Sequence, residues 1–158
     1  MARYVAVIGG YEVDDGVLAR AEEIGRLLAG HGVVVVTGGR SGVSAAASRG
    51  ATAAGGVAIG LLPGTDRSEA NPWLTYAVTT GLGDTRNALV VMNGDAVIAL
   101  DGAAGTLSEI AHALLLGRPV IGLGTWDLRR AGRDDDPIVR VATPQEAVAA
   151  ALAAADRR

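Results

Sequence analysis

Three residue types are missing from this chain of 158 residues, namely cysteine, phenylalanine and lysine. Without cysteine there is no disulfide, no thiolate metal site and no cysteine nucleophile. All 14 basic residues are arginine, so no lysine can hold pyridoxal phosphate as a Schiff base or serve a P-loop. Two histidines, His31 and His112, are too few for a dedicated histidine site, and we expect no bound metal and no required cofactor.

Basic charge and long apolar runs are also scarce. The net charge of −3 gives no basic footprint, so we expect no nucleic-acid partner. No segment approaches the roughly 20 apolar residues of a membrane span. The apolar run within residues 1–10 is too short for a signal peptide and lacks a cleavage pattern. Together these absences predict a soluble, cytoplasmic protein with no membrane partner.

Short β-branched runs alternate with longer segments rich in alanine and leucine, which is typical of repeated βα units. This alternation predicts an α/β fold over residues 1–158: one domain whose doubly wound parallel sheet carries helices on both faces, with the first strand central. The predicted strands lie near 3–8, 33–38, 56–62, 75–79, 96–101 and 119–124, with a weaker one near 138–142. The predicted helices lie near 15–30, 42–54, 85–93, 105–116 and 144–156.

The C-terminal part of the chain carries a clear helix start and a charged loop. Thr143, Pro144 and Glu146 fit an N-cap, a first-turn proline and a capping box, which indicate where the last helix begins. The preceding segment 127–137 holds nearly all the local charge. We interpret it as a solvated loop, with a functional lid as the alternative.

The stretch 95–109 carries the strongest functional signal. An apolar strand runs into Gly102-Ala103-Ala104-Gly105 and then into a helix start at Thr106. Such a turn exposes backbone N–H groups and directs the positive end of a helix dipole at the crevice, which favours a phosphate group. The sequence therefore predicts a small-molecule ligand that carries phosphate, such as a nucleotide or a related cofactor.

Other glycine-rich turns should meet the same crevice, because ligands of open parallel sheets bind at the carboxyl ends of the strands. None of them is the GxGxxG dinucleotide fingerprint, so a routine NAD-dependent dehydrogenase is not supported. The candidate phosphate-binding residues in these segments are Gly9, Gly10, Gly39, Arg40, Gly42, Asn87, Gly102, Gly105 and Thr106.

Two arginines stand where a helix would begin. With Asp84 as a predicted N-cap, Arg86 falls in the first helical turn, where a cation opposes the dipole and is disfavoured by about 0.3–1 kcal/mol. An anionic ligand would explain its presence, and Arg40 has a similar place before the second helix. The alternative for both is a surface arginine paired with a carboxylate.

Glu109 has two interpretations. Thr106-x-x-Glu109 fits a capping box, in which the glutamate only closes onto the N-cap amide. The same carboxylate faces the crevice, where it could contact ribose hydroxyls or stabilise positive charge on a sugar ring. His31 and His112 are more typical of a turn and of a helix face. Trp73 is a better candidate than Trp126 for stacking on a ligand.

The segments GGRSGVSAAASRG, LLPGTDRSEANPW, TGLGDTRNALV and DAVIALDGAAGTLSE resemble, in order and spacing, a bacterial Rossmann-like family. That family is labelled nucleotide-binding, lysine decarboxylase or molybdenum-cofactor-carrier-like, and it is related to the Lonely Guy phosphoribohydrolases. The resemblance runs from about Val5 to Gly122. The absence of lysine removes the decarboxylase function.

The resemblance implies two functions. One is hydrolysis of the N-glycosidic bond of a nucleoside 5′-monophosphate to free base and ribose 5-phosphate, with Arg86 and Glu109 as catalytic residues. The other is non-catalytic binding of a pterin, the molybdenum cofactor, as a carrier would bind it. The family association also implies a homodimer or larger assembly.

The chain departs from the family pattern at three places. Asp101 stands where the enzymes have proline and the carrier-like proteins usually glycine. Ala103 replaces a glycine, and Ser44 and Ala45 stand where the family usually has Met-Glu.

Overall fold

A computed structural model describes residues 1–157 and contains one seven-stranded sheet in which every pairing is parallel. The strands are β1 (Tyr4–Gly9), β2 (Val34–Thr37), β3 (Ala58–Leu62), β4 (Tyr76–Thr79), β5 (Ala96–Asp101), β6 (Val120–Thr125) and β7 (Ile138–Arg140). Their order is β4-β3-β2-β1-β5-β6-β7, so the first strand is central.

In the described part of the chain, five α-helices flank the sheet, and two 3₁₀ turns lie at Arg67–Glu69 and Gly83–Arg86. The helices are α1 (Asp15–Gly30), α2 (Val43–Ala53), α3 (Asn87–Met92), α4 (Ala104–Leu115) and α5 (Pro144–Ala155). Within residues 1–157, none of these helices combines the length and apolar character that a bilayer crossing needs.

Each face of the sheet has its own apolar core, because successive side chains of a strand point to opposite faces. Val5 and Val7 of β1 pack with residues of α1, α2 and α5. Ala6 and Ile8 of the same strand pack with residues of α3 and α4. The predicted doubly wound α/β sheet with helices on both faces is therefore confirmed.

Most predicted elements are confirmed to within a few residues, and the last helix begins as expected. The Thr143 hydroxyl accepts a hydrogen bond from Glu146 N (3.2 Å), and the Glu146 carboxylate accepts one from Ala142 N (2.8 Å). The exception is the helix predicted over 85–93, because its first part is the 3₁₀ turn and only Asn87–Met92 is α-helical.

The strand order reverses between β1 and β5. From β1 the chain builds outward through β2, β3 and β4, and from β5 it builds outward on the other side through β6 and β7. In open parallel sheets the crevice at such a switch point, beyond the carboxyl ends of the strands, is where ligands bind. The loops that follow β1 and β5 meet there.

Candidate anion-binding site

The N-terminus of α4 lies at this crevice without a side-chain cap. Ala103 is the N-cap residue, and the first bond within the helix runs from Leu107 N to Ala103 O (3.1 Å). The N–H groups of residues 104–106 precede that bond and therefore point out of the helix end. A row of such donors at the positive end of a helix dipole suits an anion.

Of the two interpretations of Glu109, the capping box with Thr106 is wrong. The helix begins at Ala104, so Thr106 lies at its third position and is 4% exposed. Glu109 is 7% exposed and lies in the second turn, where its carboxyl group faces a cavity. Glu109 is therefore a buried acid in the candidate site, and capping does not explain it.

The prediction that Asp84 caps a helix is also wrong. Leu82 is the N-cap residue of the 3₁₀ turn, and no side-chain hydrogen bond caps that turn. Arg86 ends the turn and is 2% exposed, so it is neither a surface residue nor a first-turn residue of an α-helix. The argument that Arg86 opposes a helix dipole therefore does not apply. Its burial is what marks Arg86 as a candidate site residue.

The Arg86 guanidinium is held at the crevice with part of its hydrogen-bonding capacity unused. Its Nε is buried and has no hydrogen-bond partner within residues 1–157. A Cβ at Gly38 would lie only 2.6 Å from Arg86 Nη1, so glycine at this position leaves room for the guanidinium. A buried cation with an unpartnered N–H is costly unless a ligand supplies the acceptor.

The Glu109 carboxyl group shares the cavity with Arg86. Burial raises the pKa of Glu109 to about 8, and the attraction of the Arg86 charge opposes this rise without cancelling it. At neutral pH the carboxyl group is therefore mostly protonated and uncharged. The pair carries a net positive charge, which favours an anion in the cavity.

The structure brings seven of the predicted site residues to one cavity of about 50 Å³. They are Gly9, Gly10, Arg86, Asn87, Gly105, Thr106 and Glu109. Asn87 connects the two helices of the site, since its Nδ2 donates to Ser108 Oγ (3.1 Å). This cavity is far smaller than the roughly 300–1,000 Å³ of typical small-molecule sites, so it accommodates only a small group.

Four predicted residues do not line this cavity. The Gly39 N–H already donates to Thr37 Oγ1 (3.1 Å), and the Arg40 guanidinium lies 5.6 Å from the Tyr11 ring centroid. Gly42 lies in a neighbouring groove. The Gly102 N–H donates to the Asp101 carboxylate (2.6 Å), which removes it as a donor to an anion.

That neighbouring groove has a volume of about 660 Å³ and adjoins the cavity at Tyr11, which lines both. Its lining includes Trp73, the tryptophan that the sequence favours for ligand stacking. Trp126 instead lies beyond β6 and donates its indole N–H to Ala103 O (3.2 Å). His31 and His112 are exposed, as their turn and helix-face positions predict.

Sequence reasoning missed several residues that line the cavity. The segment 38–42 was expected at the crevice, but Gly38 was given no role there, although its lack of a side chain leaves room for the Arg86 guanidinium. Ser44 was noted as a departure from the family, yet it lies in the cavity wall. The sequence could not show that Gly38 lies against Arg86, because the two residues are far apart along the chain.

The fold and the cavity at its switch point define a Rossmann-like α/β protein. Residues 2–148 match the model of the SLOG cluster4 family, and the chain belongs to that family. An uncharacterized protein of Archaeoglobus fulgidus is 36% identical over 119 residues, which cover 75% of this chain and 78% of that protein.

Solved structures of molybdenum-cofactor proteins match the whole fold. The molybdenum cofactor binding protein from Rippkaea orientalis has a TM-score of 0.87 and 32% identity, covering 97% of each chain. The Moco carrier protein from Chlamydomonas reinhardtii has a TM-score of 0.89 and 30% identity, covering 100% of each chain. The resemblance to the family and to its molybdenum-cofactor-carrier-like branch is thereby confirmed.

Proposed function

We propose that this protein binds the molybdenum cofactor and holds it without cleaving it, with an anionic group of the cofactor at Arg86 and the N-terminus of α4. The single observation that carries the proposal is the buried Arg86, whose Nε has no partner within residues 1–157. The likeness to cofactor-binding and carrier proteins over 97–100% of each chain supports the choice of ligand.

The donor set of the cavity fits the phosphate group of a pterin cofactor. Arg86 supplies charged N–H groups, and residues 104–106 supply backbone N–H groups at a helix N-terminus. Ala and Gly at the start of α4 place no side chain that would cap these donors. The larger groove next to the cavity leaves space for the rest of the ligand.

The protonation of Glu109 argues against the phosphoribohydrolase function. A carboxylate stabilises a developing oxocarbenium ion by its negative charge. Because the pKa of Glu109 is raised to about 8, this group is mostly uncharged at neutral pH. It could still donate a proton to a leaving base, so the shared location of Arg86 and Glu109 keeps hydrolysis as the second candidate.

Loading and retention of the cofactor test the proposal. Purified protein is incubated with cofactor released from a molybdoenzyme, and the retained ligand is measured as molybdenum and as oxidised, fluorescent pterin. We expect Arg86→Ala to weaken retention at least about tenfold, because charge-assisted hydrogen bonds are lost. The matched control is Arg118→Ala, because the Nε of Arg118 is also buried and has no partner among residues 1–157. Arg118 lies after α4, away from the cavity, and its Nη2 donates to Met92 O.

Chromatography of common nucleoside monophosphates after incubation with the protein tests the second candidate. The carrier proposal predicts that no free base is released while the cofactor is still bound. Release of base that disappears in Glu109→Gln would establish the hydrolase instead. If Arg86→Ala and Arg118→Ala lose the cofactor equally, Arg86 does not bind it.

A further inference from the structure

The groove beside the anion site has the size of a ligand pocket, whereas the cavity does not. Its volume of about 660 Å³ lies within the usual range for small-molecule sites, and the cavity has only about 50 Å³. Tyr11 lines both spaces, and Gly42 packs so closely on the backbone of Gly10 and Tyr11 that a Cβ there would lie 2.2 Å from Gly10 O. A ligand anchored at Arg86 can therefore extend past Tyr11 into this groove.

The charge of the groove excludes a second anionic group. Three carboxyl side chains line it, from Glu12, Asp14 and Asp101, against the single cation of Arg49. Arg49 is itself engaged in an ion pair with Glu22. Acceptors therefore outnumber donors along the groove, and the part of a ligand that binds here should be uncharged and rich in N–H donors.

Glu12 is the carboxylate best placed to receive such donors. Asp14 already accepts a hydrogen bond from Val17 N (2.9 Å), and Asp101 accepts one from Gly102 N (2.6 Å). Glu12 is exposed in the groove, so both of its oxygens can accept bonds in parallel. A carboxylate that accepts two parallel N–H bonds is selective for planar groups with two adjacent donors.

Two aromatic rings supply the flat surfaces of the groove. Trp73 and Tyr11 keep 43% and 54% of their surface exposed, although both are large apolar side chains. The guanidinium of Arg49 lies 6.0 Å from the Trp73 ring centroid, and that of Arg40 lies 5.6 Å from the Tyr11 centroid. Each ring therefore has a guanidinium beside it and still keeps exposed surface on which a planar heterocycle can stack.

We propose that the groove binds a fused nitrogen heterocycle through a 2-amino-4-oxopyrimidine edge, which presents its amino and ring N–H groups to Glu12 and stacks on Trp73 and Tyr11. Pterins and guanine share this edge, and adenine lacks it. The inference rests on the proposed function, because it places the anionic end of the same ligand at Arg86.

Titration calorimetry with matched ligands tests the inference. Guanosine and inosine 5′-monophosphate differ only in the 2-amino group. Comparison of neopterin monophosphate with guanosine 5′-monophosphate shows whether the groove prefers a pterin or a purine that has the same edge. We expect the wild type to bind the guanosine or pterin ligand at least about tenfold more tightly than the inosine ligand. Glu12→Gln should remove this preference and leave the affinity for inorganic phosphate unchanged.

The matched control is Glu69→Gln, because Glu69 is an exposed carboxylate outside the groove lining. It should keep the wild-type preference. Equal affinity of the wild type for the guanosine and inosine ligands, or a preference that survives Glu12→Gln, overturns the inference. If Arg86→Ala weakens phosphate binding in the same experiments, the proposed function still stands. If Arg86→Ala changes nothing while Glu12→Gln removes the preference, the anion site fails and the groove assignment stands.

Discussion

Replacing Glu109 by glutamine tests whether the buried carboxyl group carries a proton at neutral pH. Burial raises the pKa of Glu109 from 4.5 to about 8 in the folded protein. The folded protein therefore binds this proton more tightly than the unfolded chain does. The contribution of Glu109 to the free energy of unfolding should therefore be most favourable below about pH 4.5, decrease between about pH 4.5 and pH 8, and level off above that value. Glutamine carries no charge, so Glu109→Gln should not show this decrease.

The expected size of the effect follows from the pKa difference. One pKa unit corresponds to about 1.36 kcal/mol. Between pH 5 and pH 8 the free energy of unfolding should change by nearly this amount for each pH unit. The wild type should therefore lose up to about 4 kcal/mol of stability relative to Glu109→Gln. Such a loss is a large part of the roughly 5–15 kcal/mol that stabilises a typical domain. Glu109→Gln should therefore be more stable than the wild type at pH 9.

Urea unfolding at pH 5, 7 and 9, followed by circular dichroism, measures this difference. Other carboxyl groups titrate alike in both proteins, so the difference between them isolates Glu109. Glu69→Gln is the control, because it makes the same substitution at an exposed position away from the cavity. If the difference between the wild type and Glu109→Gln stays constant within about 0.5 kcal/mol from pH 5 to pH 9, Glu109 is ionised throughout and the reasoning is refuted.

Two changes beside the cavity have opposite expected effects on phosphate affinity, both measurable by calorimetry. Gly38→Ala places a Cβ 2.6 Å from Arg86 Nη1 and should weaken binding about tenfold; unchanged affinity would show that the guanidinium can shift freely. Asp101→Gly removes a carboxylate and frees the Gly102 N–H, and glycine adopts the left-handed φ of 49° at this position without strain. Phosphate binding should therefore tighten at least about threefold. Weaker binding would contradict that role for Asp101.

The fold could be predicted from the sequence because its pattern is repeated and local. In β1, consecutive residues such as Val7 and Ile8 face different cores, so the whole strand is apolar, as a strand covered on both faces must be. The long α1 shows one apolar stripe that ends near Gly30. Neither feature depends on contacts between distant segments.

The location of the site could be predicted from the sequence. The burial and the contacts of its side chains could not. Asp84 and Thr106 have residue types that favour caps, yet neither caps a helix. Ala104 and Gly105 adopt helical conformation ahead of Thr106, and the turn before α3 is 3₁₀, which directs Arg86 inward. Tertiary packing decides both outcomes, so a local capping pattern could not reveal that Arg86 and Glu109 share one cavity.

Arg86 and Glu109 together should make the affinity of the cavity for anions depend on pH. Below pH 8 Glu109 is mostly protonated, so the Arg86 charge is available to a ligand; above pH 8 the ionised carboxyl group repels an anion and competes for Arg86. Sulfate is a suitable probe, because its own charge is constant between pH 6 and pH 10. We expect its affinity to fall about tenfold for each pH unit above 8 in the wild type, and to stay level in Glu109→Gln. A sulfate affinity that is level in both proteins would separate the anion site from Glu109, whereas parallel decreases would assign the titration to another group.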